Sequence, residues 1–236
     1  MKLKDIAQKY SKDALKIHKN LNNKIWQNET IKPRILNKLK LITDKCVKFN
    51  KIEQNIVDVI MIGSSCDVNY TEKSDIDIHL VLDLNEDSDE YKIIVLQCKD
   101  WNRNNFLIFN HKVEVNPQPT DSKTISKNAA QYSIKHNKWL KKPNYDFEIT
   151  DEMYEEIDNT VKEIINQAHK CYKEKDGNKL HQIIKKLKDE RRKSVATEGE
   201  LSIPNLVFKT LRYIGCIDEW KDRIIKFEVT ELLNRG

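Results

Sequence analysis

The sequence predicts an α+β fold: a small mixed, twisted sheet preceded by two N-terminal helices and followed by a helical domain. Apolar residues recur with helical spacing at both ends of the chain, whereas short β-rich runs fill the middle. Because each amphipathic element must bury its apolar face against another, helices are expected to cover the sheet. We therefore expect N-terminal helices over residues 1–50, a catalytic sheet domain over 51–144 and a helical domain over 145–236.

Helices are predicted on both sides of the sheet. Residues 2–21 carry one apolar stripe, and a second helix is expected over 33–49, where a proline occupies the first turn. Helical spacing returns after residue 150, breaks at 176–177 and continues in two more helices after Pro204. This C-terminal region is therefore predicted to be entirely helical.

Six short runs rich in β-branched and aromatic residues predict the strands. They are residues 56–62, 76–82, 106–109, 113–115, 132–134 and 139–140. Asn110 and His111 are predicted as the tip of a hairpin, and 90–102 as a connecting helix. The residues that suggest chemistry all fall within this block.

Composition excludes several classes of protein. Charged residues make up 33% of the chain, no apolar run approaches the roughly 20 residues of a membrane-spanning helix, and the N-terminus lacks a signal-peptide core. The formal charge of +5 is a mild indication of an anionic partner. Five cysteines without a CxxC pair suggest neither a zinc ribbon nor a disulfide framework. We expect a cytoplasmic chain with no membrane partner, and the sequence leaves its oligomeric state open.

A glycine and two serines directly follow the first long apolar strand. Gly63 can adopt a positive φ and lets backbone approach a ligand closely. Ser64 offers a hydroxyl and an N–H to a phosphate. Taken alone, this pair is more typical of a simple turn that ends a strand.

Two aspartates interrupt the next β-forming segment. Alternation along a strand places Asp75, Asp77 and His79 on one face. Two carboxylates there repel each other, and a hard divalent cation such as Mg²⁺ between their oxygens removes the repulsion. We predict that Asp75 and Asp77 bind metal. The alternative is an exposed edge strand with a solvated acidic face, and His79 is either a phosphate contact or structural.

A third carboxylate is expected from a neighbouring strand. Glu114 lies between Val113 and Val115, so its side chain is expected to project from the opposite face of the strand to the valines. Asp83 is the other candidate, because it shares the face of Asp75 by parity, but it lies beyond the apolar stretch of its strand. Glu114 is therefore preferred.

Together these residues carry a family resemblance. Gly63-Ser64, ten intervening residues, Asp75-Ile76-Asp77 and a later Glu114 resemble the signature of the polymerase-beta-like nucleotidyltransferases. A wider pattern includes the segments GSSCDVNYTEKSDIDIHLVLD, VEVNPQ and YSIKHNKWL. It is similar, over most of the chain, to predicted nucleotidyltransferases of tailed bacteriophages.

The resemblance implies a sheet of the nucleotidyltransferase type and a two-metal reaction. An NMP would pass from an NTP, with ATP expected, to an acceptor hydroxyl, and pyrophosphate would leave. Asp75 and Asp77 would bind both Mg²⁺ or Mn²⁺ ions, and Glu114 would be the third ligand. Lys112, like Lys73, is either a phosphate partner or an ordinary surface lysine. The residues expected to bind the nucleotide are Gly63, Ser64, Ser65, Lys73 and Ser74.

The acceptor and the partner remain open. An RNA or tRNA end is favoured by the helical additions, and the basic clusters at 185–188 and 191–193 either bind a phosphate backbone or form a solvated helix face. A protein acceptor is the other expectation. Two further functions compete: a non-catalytic nucleotide- or RNA-binding module, and an antitoxin-like enzyme that transfers AMP to a protein. The expected location is the cytoplasm, that of the host if the chain is phage-encoded.

Overall fold

The computed structural model describes residues 14–52, 55–72, 74–122 and 129–234. The predicted helix over residues 2–21 lies outside the described residues as far as residue 13. Of residues 14–21 only Ala14 is helical, so the last part of that prediction is wrong. Tertiary contacts explain the difference, because the backbone N–H of His18 donates to the carbonyl of Val68 (2.8 Å) and Leu21 joins the core beneath the sheet.

A small hairpin that the sequence did not predict comes next. Strands β1 (Trp26–Gln27) and β2 (Thr30–Ile31) pair antiparallel around a two-residue turn. Both turn residues, Asn28 and Glu29, have positive φ values of 48° and 61°, as a type I′ turn requires. Helix α1 (Pro33–Asn50) follows and confirms the second predicted helix.

Within the described residues, six strands form one mixed sheet. They are β3 (Ile56–Ile62), β4 (Ile76–Leu82), β5 (Leu107–Ile108), β6 (His111–Pro119), β7 (Gln131–Ser133) and β8 (Lys138–Lys141). Their spatial order is β5-β6-β4-β3-β7-β8, with β4 and β6 parallel and the other neighbours antiparallel. The mixed sheet predicted from the sequence is therefore confirmed.

The hairpin between β5 and β6 corrects one detail. Its turn residues are Phe109 and Asn110, with φ values of 49° and 67°, while His111 already pairs with Ile108 in the ladder. The predicted tip at Asn110 and His111 is thus displaced by one residue. The consequence is that His111 is a strand residue with a buried side chain, 1% exposed.

One face of the sheet packs on two helices. Helix α2 (Asp89–Trp101) lies within a residue of the predicted bounds, and the Ser88 hydroxyl caps it by accepting from the N–H of Tyr91 (3.2 Å). Ile76, Ile78 and Leu80 of β4 are fully buried in the same apolar cluster as residues of α1 and α2. Alternation therefore leaves the polar residues of β4 on the opposite face.

Four helices follow in the described C-terminal region: α3 (Asp151–Glu174), α4 (Gly177–Thr197), α5 (Ile203–Tyr213) and α6 (Cys216–Asn234). The predicted break at 176–177 is confirmed. Lys175 adopts φ 54°, and Asp176 caps α4 by accepting from the N–H of Lys179 (2.9 Å). The α+β fold is thus a six-stranded mixed sheet in the N-terminal half, followed by a four-helix region.

Contacts divide the chain into two compact units. The sheet unit is Ile17–Phe147, and the helical unit is Glu148–Gly236 with residues 14–16. Each has an apolar core of its own, and Leu15 belongs to the helical core. The domain bounds predicted at residues 50 and 144 stay a prediction. Among the described residues no helix has the length and hydropathy to span a bilayer, and all five cysteines are buried free thiols.

Candidate active site

Gly63 ends strand β3 in a conformation that suits glycine. Its φ of 75° and ψ of −171° lie in a region that residues with a side chain rarely adopt. A Cβ atom built on Gly63 would lie 2.5 Å from Oδ2 of Asp77. The missing side chain therefore allows the Asp77 carboxylate to lie against the backbone of this turn.

The serines after Gly63 tie the turn to the segment that enters β4. Ser64 Oγ donates to Ser74 Oγ (2.9 Å), which also accepts from the N–H of Thr71 (2.9 Å). Ser65 is fully buried, and its Oγ donates to the carbonyl of Asp75 (2.6 Å). The turn and the first aspartate are thus held together by side-chain hydrogen bonds, and the Ser65 hydroxyl supports the backbone of Asp75.

The parallel pair of strands brings the predicted carboxylates to one face. Asp77 of β4 lies directly beside Glu114 of β6 in the register, and neighbouring strands are about 4.8 Å apart. Asp75 precedes β4 by one residue and by alternation projects to the same side. These aspartates and Glu114 are partly exposed, whereas Ile76 and Ile78 between them are fully buried.

Asp83, the other candidate for the third carboxylate, lies elsewhere. It follows the end of β4 and is exposed. At the rise of a strand, the six residues from Asp77 to Asp83 span about 20 Å. Of the two candidates, Glu114 is the one beside Asp77.

The donor set fits a hard cation by chemistry and by backbone position, although the side chains do not converge on a common point. Carboxylate oxygens are the ligands that Mg²⁺ prefers. Among the described residues, however, no group of three or more His, Cys, Asp or Glu side chains could hold a metal as it stands. Glu114 Oε1 instead lies 2.7 Å from Lys112 Nζ. Metal binding would require these side chains to rearrange, and the Lys112 ammonium beside Glu114 opposes it by charge repulsion.

His79 lies on the same face as Asp77 and is neutral. Its Nδ1 donates to Oε1 of Gln118 (3.0 Å), the side chain of the neighbouring strand. Burial lowers the pKa of His79 to about 4, against the smaller opposing effect of that hydrogen bond. At neutral pH the imidazole therefore carries no charge with which to attract a phosphate.

Three residues that sequence analysis missed support the turn. The indole N–H of Trp26 donates to the carbonyl of Ser65 (2.9 Å). His111 Nδ1 donates to the carbonyl of Ser74 (2.7 Å), and Asn22 Nδ2 lies 3.4 Å from the other ring nitrogen. These contacts join residues 37 to 89 positions apart, so no local pattern indicates them.

Lys73 lies outside the described residues. The predicted basic clusters lie on α4, where the exposed cations are Lys185, Lys186, Lys188, Arg192 and Lys193. Arg191 has a different role, because its Nε donates to Asn205 Oδ1 (2.8 Å) and its guanidinium lies over the Phe208 ring, 5.1 Å from the centroid. It therefore packs α4 against α5. The exposed cations are interleaved with Asp189 and Glu190.

Comparisons of the chain with protein-family models, with curated proteins and with solved structures found no match. What the arrangement can do must therefore be inferred from the site itself. Three carboxylates on a partly exposed face beside a glycine turn are oxygen ligands of the kind that a divalent cation with a phosphate-bearing ligand requires, once the side chains rearrange.

Proposed function

We propose that this chain is a metal-dependent nucleotidyltransferase with a sheet of that type. It transfers an NMP from an NTP, with ATP expected, to an acceptor hydroxyl on an RNA or tRNA end or on a protein, and releases pyrophosphate. The observation that carries the proposal is the parallel register that sets Glu114 beside Asp77, with Gly63 against the Asp77 carboxylate.

The chain's own residues have separable roles in this proposal. Asp75, Asp77 and Glu114 would hold Mg²⁺ or Mn²⁺, which when bound stabilises negative charge on phosphate oxygens. Gly63 leaves room at the turn for the Asp77 carboxylate. Ser64 and its partner Ser74 fix the turn against the strand that carries the aspartates. No covalent intermediate with the protein is needed.

A non-catalytic nucleotide- or RNA-binding module is the second candidate. The ion pair between Lys112 and Glu114 favours it, because a carboxylate that is neutralised by a lysine can serve structure alone. The two candidates differ in turnover. Both predict nucleotide binding, whereas only the first predicts that label moves from the NTP to an acceptor.

The test is label transfer from each α-labelled NTP, with Mg²⁺ or Mn²⁺, to total cellular RNA or to protein in a lysate, resolved on gels. The wild-type chain is expected to label one acceptor class. The variant Asp75→Asn/Asp77→Asn should lose at least about 100-fold in rate, because the carboxylate charges that hold metal are gone. Its far-ultraviolet circular dichroism should be unchanged, since neither aspartate belongs to the apolar core.

The matched control is Asp83→Asn, which removes an exposed carboxylate beyond the end of β4. It should label the acceptor at the wild-type rate. Full activity in the double variant would refute the site. Bound NTP without transfer to RNA, protein or small hydroxyl compounds would favour the binding module, and label on a single partner protein would favour the antitoxin-like reaction.

A further inference from the structure

The carboxylate of Glu114 forms an ion pair with the ammonium group of Lys112. Lys112 Nζ lies 2.7 Å from Glu114 Oε1, at the distance of a charge-assisted hydrogen bond. The two residues are two positions apart on β6, so both project to the face that carries Asp77. Their side chains are 32% and 30% exposed, which leaves the pair in contact with water.

We propose that Lys112 is an internal cation that occupies Glu114 until a divalent metal displaces it, and that it thereby sets the metal affinity of the site. The inference rests on the proposed function, in which Glu114 is a metal ligand. It goes further because it predicts that an uncharged residue at position 112 raises the metal affinity and that arginine there lowers it.

The competition follows from charge and geometry. The ammonium group contacts Oε1 of Glu114, and its charge repels a divalent cation that approaches the same carboxylate. The lysine ammonium is a compact, strongly hydrated charge on a flexible stem, so it can leave for water when a doubly charged ion arrives. A partly exposed ion pair of this kind is weak, which makes the exchange feasible.

The same contact agrees with the arrangement of the face. The carboxylates of Asp77 and Glu114 belong to directly paired residues, yet the described side chains do not form a group that could hold a metal. With its charge balanced by Lys112, Glu114 has no need to share a cation with Asp77. Displacement of the lysine would make Glu114 available to that shared cation.

The experiment measures Mn²⁺ binding to the full chain by isothermal titration, without nucleotide. Lys112→Met removes the competing charge and keeps the apolar stem, so the Kd is expected to fall by roughly two- to tenfold. Lys112→Arg supplies a planar fork that can hold the carboxylate through two hydrogen bonds, so the Kd is expected to rise. Structures of the wild-type chain with Mn²⁺ bound should show Lys112 Nζ beyond 4 Å from Glu114, the limit for an ion pair.

The matched control is Lys142→Met. Lys142 forms an ion pair with Glu29 at 2.6 Å in the same unit, and its loss changes the net charge equally. This variant should bind Mn²⁺ as the wild-type chain does. In a Glu114→Gln background, Lys112→Met should no longer tighten binding, because the shared carboxylate is absent.

The Mn²⁺ titrations distinguish failure of the inference about Lys112 from failure of the proposed function. An unchanged Kd in Lys112→Met, or an equal gain in the Glu114→Gln background, would overturn the inference while leaving an Asp75- and Asp77-dependent metal site in place. If neither the wild-type chain nor Lys112→Met binds Mn²⁺ in a manner that depends on these aspartates, both the inference and the proposed function fail.

Discussion

At position 63 a side chain and the Asp77 carboxylate compete for the same space. The Cβ of any other residue would come within 2.5 Å of Asp77 Oδ2, and the backbone there has a φ of 75°. The steric conflict would displace a predicted metal ligand, whereas the positive φ would strain the backbone and lower the stability of the fold. Substitutions can separate these two effects, because another glycine of the chain has the positive φ without the steric conflict.

Gly63→Ala is expected to lower the free energy of unfolding by about 1–3 kcal/mol and to weaken Mn²⁺ binding. The backbone strain causes the first loss, and the displacement of the Asp77 carboxylate causes the second. Urea unfolding and isothermal titration measure them.

The control is Gly215→Ala. Gly215 has a φ of 82°, but a Cβ there would meet nothing within 4 Å. It should lose stability without any change in Mn²⁺ affinity. Equal metal affinity in Gly63→Ala and wild-type chains would contradict the steric role given to Gly63.

At the scale of elements, the short hairpin of β1 and β2 supports the turn at the end of β3. Trp26 stacks on Trp139 with ring centroids 4.9 Å apart, and its indole N–H donates to the carbonyl of Ser65. The Trp139 N–H in turn donates to the carbonyl of Glu29 at the hairpin tip (2.7 Å). Two strands of two residues each would be marginal alone, and these aromatic contacts hold them in place.

Trp26→Phe is expected to cost about 1–3 kcal/mol of stability, because the carbonyl of Ser65 is left without its buried donor. Since Ser65 also binds the backbone of Asp75, Mn²⁺ affinity should fall in the same variant.

Trp139→Phe removes the indole N–H that donates to the hairpin and leaves the hydrogen bond to Ser65 in place. It should lose stability and keep the wild-type Mn²⁺ affinity, and a loss of affinity in both variants would assign the effect to the hairpin as a whole.

At the scale of the whole molecule, the chain has two apolar cores with no residue in common. One lies beneath the sheet and includes Ile76 and Ile78, and the other is formed by the helical unit and includes Leu180 and Trp220. The carboxylates of the site belong to the sheet unit, residues Ile17–Phe147. A substitution that creates a cavity in the helical core should therefore lower the stability of the chain and leave its metal affinity unchanged.

Leu180→Ala is expected to destabilise the chain by about 2–5 kcal/mol, because a fully buried side chain is replaced by a cavity. Under native conditions Mn²⁺ affinity should be unchanged. Leu233→Ala, at a side chain that is 76% exposed, should change stability by less than about 0.5 kcal/mol. Urea unfolding by circular dichroism gives the stabilities, and a loss of Mn²⁺ affinity in Leu180→Ala would show that the helical core influences the site.

Local sequence patterns were enough to predict most of the elements and the face to which each site carboxylate belongs. The bounds of β3 and β4 were predicted to the residue. β3 is a largely apolar run that ends at Gly63, and in β4 apolar residues alternate with Asp77 and His79, so an aspartate that follows a buried isoleucine faces the other side. The break between α3 and α4 was also predicted, since its signal is a local capping residue beside a glycine. Such features depend on neighbours in the chain, and so a single sequence contains them.

The tertiary structure alone decided which faces meet. Alternation places Glu114 opposite its valines, but only the parallel pairing of β4 with β6 places it beside Asp77. The end of the predicted first helix was wrong because Leu21 joins the sheet core, and the supports of the turn, Trp26 and His111, come from distant parts of the chain. Strand register and buried hydrogen bonds depend on the free energy of long-range packing, which local periodicity does not report.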